Sequence, residues 1–287
     1  MSSSDAAKAI GVIGSGTMGA GIAQVAAAAG FPVFLVDTSL ERATTARIRI
    51  ATGLRKLVDK GKITTEVADE TIGRITPSES LYDLQFASYV IEAVFENFET
   101  KSEILNDLSA IVPETTVVAS NTSSISITRL ADSFARPEQV IGMHFFNPVP
   151  VLTLVELIRG RQTSDETVQR AREMASAFGK TAIDVRDSPG FVVNRVKMPM
   201  IREAIALLEE DVASREGIDD SMKLGAAHPM GPLQLADLIG LDVVLSIMEV
   251  IHQDLNSASY DPPILLREMV ASGKLGRKSG EGFYVYG

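Results

Sequence analysis

His144 and Glu156 are the residues whose types and spacing most directly suggest proton chemistry. His144 closes the apolar run Val140–His144, and Glu156 lies inside a second apolar run, Val151–Ile158. Between them, Asn147-Pro148-Val149-Pro150 has the composition of a chain reversal. Two strands joined by such a turn bring imidazole and carboxylate side by side. The carboxylate then fixes the ring tautomer through one nitrogen and supports positive charge when the other takes a proton. That is a general acid–base pair. Each residue also has a plainer use: the histidine as a satisfied structural group, the glutamate as a solvent-facing residue on an edge strand. The two remaining histidines read as structural or solvated, His228 in a Pro/Gly-rich joint and His252 on a helix.

A second cluster is suited to phosphate. Gly14-Ser15-Gly16-Thr17-Met18-Gly19 is a G-x-G-x-x-G that follows the apolar run Ala9–Ile13 and opens an alanine-rich helical stretch, Ala20–Ala29. A further apolar strand, Val33–Val36, ends in Asp37, 18 residues past Gly19. This strand–turn–helix–strand–acid order is what the dinucleotide fingerprint requires. The first glycine allows the tight turn, the second lets backbone approach a pyrophosphate, and the third lets helix and strand pack closely. Thr17 and Met18 lie within the same loop and count with Gly14, Gly16 and Gly19 as cofactor-binding candidates. Asp37 is placed to accept from adenosine ribose hydroxyls and to repel the extra phosphate of NADP, so NAD is the expected cofactor; Arg42 is placed to soften that preference. The competing use is a plain glycine turn with Asp37 as a helix cap.

Small polar residues mark other strand ends. Ser120-Asn121-Thr122-Ser123-Ser124 follows the strand beginning at Val117, where hydroxyls and amides can bond a substrate oxygen or a nicotinamide ribose. They can equally cap the helix that begins near Ser126. Asn194 is similarly open.

The elements needed to position these groups are legible as alternating strands and helices. Strands are expected at Ala9–Ile13, Val33–Val36, Tyr89–Val94, Val117–Ser120, Val140–His144, Val151–Ile158 and Thr181–Val185, with helices over Leu40–Lys60, Phe98–Ile111 and Asp165–Phe178. This pattern predicts an α/β fold, a Rossmann-type doubly wound, mostly parallel sheet. Beyond Asp187 the pattern turns helical, over Val192–Asp211, Ser214–Ala226, Leu233–Asn256 and Pro263–Ser272, with a last strand candidate at Phe283–Tyr286. Two domains are expected, an NAD-binding domain over 1–187 and an all-α C-terminal substrate and dimerisation domain over 188–287.

Several motifs occur in order along nearly the whole chain: Gly14–Gly19, Glu92-Ala93-Val94-Phe95-Glu96 with Lys101, and Ser120–Ser123. They continue with His144-Phe145-Phe146-Asn147-Pro148, the stretch from Asp187 to Arg195, Pro229–Pro232, and the stretch from Gly276 to Tyr284. Together they resemble the 3-hydroxyacyl-CoA dehydrogenase family, especially its short stand-alone 3-hydroxybutyryl-CoA dehydrogenases. The resemblance implies a catalytic base at His144, its charge partner at Glu156, and substrate-oxygen contacts at Ser123 and Asn194. It implies NAD contacts at Asp37, Ala93, Glu96, Lys101, Asn121, Asn147 and Lys278, and no metal. It also implies the (S)-hydroxy enantiomer, an acyl-CoA substrate held between the domains, and a homodimer formed through the helical domain. Two other readings compete. One is a lambda-crystallin-like sugar-acid dehydrogenase, which needs no CoA dock; the other is a nucleotide-binding protein without turnover. A β-hydroxyisobutyrate-type enzyme fits less well, since those use a catalytic lysine.

Composition sets the partners. The 287 residues carry 27 basic and 37 acidic side chains, a net charge of −10. Such a chain is a poor general binder of nucleic-acid backbones and of anionic membranes. It has no cysteine, which excludes thiol chemistry and disulfides and fits a cytoplasmic location. The polar start Met1–Asp5 does not read as a signal peptide, and no apolar run reaches transmembrane length. One segment runs against the charge: residues 42–62 hold seven basic residues and one acidic, a net +6 in a background of −16. Arg42, Arg49, Lys56 and Lys60 share a helical face opposite Ile50, Leu54, Leu57 and Val58. Coenzyme A carries a pyrophosphate and a 3′-phosphate, so Arg49, Lys56 and Lys60 are CoA-binding candidates; the alternative is a solvated basic face. Reversing Lys56 and Lys60 together to Glu is expected to raise KM for an acyl-CoA substrate more than for NADH. Steady-state kinetics with each substrate varied in turn checks this, and equal effects would mark a solvated face.

Overall fold

The structure, a computed structural model, describes residues 9–287. The polar stretch Met1–Asp5, and Lys8, near which the first element was expected to begin, lie outside the described residues. The chain divides into two compact units, one ending at Asp187 and one spanning Ser188–Gly287.

The first unit is an eight-stranded sheet in the order β3-β2-β1-β4-β5-β6-β7-β8. The strands are β1 Ile10–Ile13, β2 Val33–Val36, β3 Ile75–Ser78, β4 Tyr89–Glu92, β5 Val117–Ser120, β6 Val140–Phe145, β7 Leu154–Arg159 and β8 Thr181–Arg186. Every neighbouring pair is parallel except β6 and β7. Strands β1, β4, β5 and β6 are buried at every position, as their continuous apolar runs require in a sheet covered on both faces. The helices are α1 Thr17–Ala28, α2 Leu40–Asp59, α3 Thr65–Gly73, α4 Phe98–Ile111, α5 Ile127–Ala131 and α6 Asp165–Ala177. Their core faces are mostly alanine on α1, Ala43, Ala46, Ile50 and Leu54 on α2, and Leu105 and Leu108 on α4. Small side chains on α1 let it sit close to the sheet behind the glycine-rich loop.

Several elements differ from the sequence expectation, each for a local reason. Strand β3 was not expected; Pro77 and a single strongly apolar residue hide it, and proline is tolerated because β3 is an edge strand. Helix α3 was also unforeseen, although Thr64 caps it by accepting from the Val67 amide. Residues Val151–Thr153, expected in a strand, instead belong to the turn ahead of β7. The reversal is pinned by the Lys180 ammonium, which donates to the carbonyls of Val149 and Leu152. Burial there lowers the Lys180 pKa from its ordinary value.

The second unit contains α7 Val193–Glu209, α8 Arg215–Gly225, α9 Pro232–Ile239, α10 Leu241–Leu255 and α11 Ile264–Ala271 around its own core of Met198, Ile201, Ile205, Leu233, Val244 and Met248. The single helix expected over Leu233–Asn256 is two, because Gly240 takes φ +104°, outside helical space. Phe283–Tyr286 is not a strand; only isolated bridges occur there, and Asp237 orders the segment. Its carboxylate accepts from the amides of Phe283 and Tyr284 and from the Tyr286 hydroxyl, each at 2.9 Å. Burial raises the Asp237 pKa despite these donors. Asp219, fully buried, accepts from the Leu233 and Gln234 amides in the first turn of α9 and from the Tyr284 hydroxyl. Among the described residues, no helix is long and apolar enough to cross a membrane.

Candidate active site

Parallel strands β1, β2, β4, β5 and β6 bring their carboxyl ends to one edge of the sheet, where the loops can form a site. The glycine-rich loop leaves β1 there. Gly14 has φ +94°, and a Cβ on it would lie 2.6 Å from the Ala93 carbonyl oxygen. A Cβ on Gly19 would lie 1.7 Å from the Gly14 carbonyl oxygen. Both glycines are therefore demanded by packing alone. Gly16 differs, because nothing lies within 4 Å of the position its Cβ would occupy. It is also the cap of α1, and it supplies no side chain to the helix's first N–H groups. Those donors, the positive end of the helix dipole and the open space beside Gly16 fit the pyrophosphate of a dinucleotide. Thr17 is exposed in the first turn of α1, and Met18 packs on the core.

Asp37 follows β2 and faces this loop. Its carboxylate accepts from the Ser15 amide and hydroxyl at 2.7 and 2.6 Å, from the Thr38 amide and hydroxyl, and from Arg42 Nε at 2.7 Å. Burial pushes the Asp37 carboxyl up, but the Ser15 and Thr38 donors outweigh it and hold it at about 2. Asp37 is therefore an anion at neutral pH, suited to ribose hydroxyls. It is not the cap of α2; Ser39 is, accepting from the Arg42 amide.

Beyond β4 and β5 the motif residues Glu92, Glu96 and Lys101 join in a charge network, a mutual pairing that their spacing alone does not announce. Glu92, with no exposed surface, accepts from Lys101 Nζ at 2.7 Å, from the Val94 amide at 2.6 Å and from the Ser120 hydroxyl at 2.6 Å. Lys101 is itself 1% exposed and reaches Glu96 at 3.3 Å. Glu96 in turn accepts from the Thr122 hydroxyl at 2.6 Å, the Ser123 amide at 2.9 Å and the Ser124 hydroxyl at 3.0 Å. Burial raises the Glu96 pKa, but Lys101 and these donors overcome it and leave the group below its ordinary value. Ser123 Oγ lies 3.3 Å from Glu96. The 122–124 turn is therefore clamped by Glu96 and does not cap α5, which Ser126 caps. In the sequence Glu92 is marked only as an acid inside the apolar stretch Tyr89–Val94 and as the first residue of the Glu92–Glu96 motif.

His144 and Glu156 are direct cross-strand partners in the antiparallel β6–β7 pair. Nδ1 lies 2.8 Å from the Glu156 carboxylate, and both residues are buried. Strand β7 is an inner strand, so Glu156 does not face solvent. With the carboxylate accepting from Nδ1–H, Nε2 keeps its lone pair and is chemically able to accept a proton. The Phe146 ring packs on the imidazole at 4.4 Å between centroids. Asn121 ties the neighbouring strand ends together: its amide donates to the Glu92 carbonyl, and its side-chain oxygen accepts from the Phe145 amide at 2.9 Å. Asn147 is exposed in the turn that follows. Ala93 donates its amide to the Ile13 carbonyl at 2.7 Å, locking the β4 loop to the glycine loop.

The remaining expected residues sit elsewhere. Asn194, buried, and Lys278, exposed and paired with Asp242 at 2.6 Å, belong to the second unit. Arg49 donates to the Ser15 carbonyl at 2.9 Å, at the nucleotide loop, while Lys56 and Lys60 are exposed further along α2. Among the described residues, no cluster of His, Cys, Asp or Glu could hold a metal ion.

A dinucleotide loop and an acid–base pair at the same sheet edge define a dinucleotide-linked dehydrogenase. Comparison with known proteins makes this specific. The family model for the 3-hydroxyacyl-CoA dehydrogenase NAD-binding domain matches residues 9–188, and that for the family's C-terminal domain matches 190–286. The chain belongs to the 3-hydroxyacyl-CoA dehydrogenase family. It is 52% identical over 276 residues to a probable 3-hydroxybutyryl-CoA dehydrogenase of Deinococcus radiodurans, covering 96% of this chain and 99% of that one. It is 49% identical over 279 residues to a 3-hydroxybutyryl-CoA dehydrogenase of Bradyrhizobium diazoefficiens, covering 97% and 95%. The crystal structure of (S)-3-hydroxybutyryl-CoA dehydrogenase from Ralstonia eutropha superposes with a TM-score of 0.94 at 49% identity, covering 98% of this chain and 99% of that one.

Replacing Lys101 with Met strands the Glu92 carboxylate without its countercharge, at an expected cost of about 3–5 kcal/mol. Urea unfolding measures the loss. Adding Glu92→Gln to that variant is expected to recover part of it, because the buried charge is then gone.

Proposed function

We propose that the protein catalyses the reversible NAD-linked interconversion of (S)-3-hydroxybutyryl-CoA and acetoacetyl-CoA. The observation that carries this reading is the buried His144–Glu156 pair at the sheet edge that also bears the glycine loop. NAD, when bound, supplies the hydride acceptor for the carbon at C3. In the oxidative direction His144 Nε2 takes the 3-hydroxyl proton as that carbon loses its hydride. Glu156 holds Nδ1–H and offsets the charge that the ring then carries. In the reductive direction the imidazolium returns the proton to the 3-oxygen. Ser123 and Asn194 are assigned to orienting the 3-oxygen and the thioester region. Asp37, Ala93, Glu96, Lys101, Asn121, Asn147 and Lys278 are assigned to the cofactor side. Lys56 and Lys60 are assigned to the CoA phosphates, with Arg49 shared between CoA and the nucleotide loop. The protein is further proposed to act in the cytoplasm as a homodimer through its helical unit. Exposed apolar side chains there, among them Val196, Leu238 and Ile264, support a covered face.

Two measurements test these assignments. His144→Ala is expected to lower the rate of acetoacetyl-CoA reduction by about 10²–10⁴-fold while NADH still binds. Near-normal turnover would remove His144 from the mechanism, and turnover of free hydroxyacids in place of the CoA ester would move the substrate assignment. Light scattering on the purified protein is expected to give twice the chain mass of 30.7 kDa; a monomer at micromolar concentration would overturn the dimer.

A further inference from the structure

The Asp37 carboxylate is already saturated. Oδ2 accepts from the Ser15 amide and hydroxyl at 2.7 and 2.6 Å. Oδ1 accepts from the Thr38 amide at 2.8 Å, the Thr38 hydroxyl at 3.1 Å and Arg42 Nε at 2.7 Å. A carboxylate offers about four lone-pair directions, and five donors occupy them. A ribose hydroxyl can therefore reach Asp37 only by displacing a donor.

The donors differ in what their departure costs. Ser15 is buried, and its carbonyl is held by Arg49. Thr38 is the next residue in the chain and cannot withdraw its amide without turning the backbone. Arg42 is different. Its side chain is 67% exposed on the first turn of α2, so its guanidinium can swing into water at small cost.

We propose that Arg42 is a specificity-determining residue for the cofactor, occupying Asp37 until the ribose arrives and then remaining beside the ribose 2′ position as a cation. The proposal rests on the nucleotide reading of the site given above. Its effect has opposite signs for two ligands. For NADH, Arg42 is a competitor for the carboxylate. For NADPH, the same guanidinium can pair with the 2′-phosphate and screen it from Asp37. Arg42 thus narrows a preference for NADH that Asp37 alone would make steep. The Arg42 contribution to the helix cap is its backbone amide, which donates to the Ser39 hydroxyl, so substitution of the Arg42 side chain leaves the cap in place.

The test is a pair of dissociation constants, for NADH and NADPH, read from nicotinamide fluorescence on the full-length protein. The chain has no tryptophan, so that emission is read without indole background. Arg42→Ala and Arg42→Gln are each expected to weaken NADPH by about tenfold, the scale of one lost charge-assisted contact. NADH binding should stay the same or tighten. Asp37→Ala should move the ratio the other way, toward NADPH. Raising the salt should weaken NADPH more in the parent than in Arg42→Ala, because an exposed ion pair is screened. An unchanged NADH-to-NADPH ratio in Arg42→Ala would overturn the proposal and reduce Arg42 to a surface ion pair. Failure of the parent to bind either nucleotide would overturn the reading of the whole site, an outcome distinct from the first.

Discussion

A carboxylate sealed from water must be met by donors, and the carboxyl edge of the sheet is organised around one such group, Glu92. Three segments converge on it: Lys101 from α4, Ser120 at the end of β5 and the Val94 amide from the loop after β4. The loop so fixed carries Ala93, whose carbonyl sets the space left for Gly14. Lys101 extends the network to Glu96, and Glu96 clamps the 122–124 turn. The buried part of this network, Glu92 with Lys101 and Ser120, is stiff, and removing Lys101 leaves the Glu92 charge without its partner. The nucleotide loop and the serine turn thus share one electrostatic anchor.

The acid–base pair depends on a different device. Strand β7 is the one that runs antiparallel to its neighbour β6, and that reversal sets Glu156 opposite His144. Asn121 then links β5 to β6 one residue beyond the histidine. The pair is built on sheet rather than on loops, so its separation inherits the rigidity of the strands, with β8 holding β7 from the other side over six residue pairs.

Much of this was legible in the residues. The apolar runs gave the order of the inner strands, and the glycine spacing located the loop, because both are local consequences of burial and of close backbone approach. The turn at Asn147–Pro150 foretold the His144–Glu156 pairing, since a reversal between two apolar runs has few other outcomes. What stayed hidden was non-local. Nothing near Glu92 in sequence announces Ser120, 28 residues on, as its donor. Nothing near Asp37 says that Ser15, 22 residues earlier, reaches it. The break at Gly240 was missed because apolar periodicity continues across it, and the Phe283–Tyr286 segment was misread because its order comes from Asp237, 46 residues earlier than Phe283. Lys101 shows the same limit: its place between the Glu92 and Glu96 carboxylates is set by the fold and is not readable from its spacing in the chain.

An open sheet must also end twice, and each end is a template on which a stray strand could grow. The protein meets this differently at β3 and β8. Strand β3 is only four residues long and contains Pro77, which has no N–H to offer a newcomer. Strand β8 is longer and more exposed, and it carries Asp184 and Arg186, with Arg172 paired to Asp184 at 2.6 Å. A strand docking there would have to bring its own residues against those charges. The sheet's borders therefore act as guards against fibrillar association, and they are made of residues with no part in the chemistry.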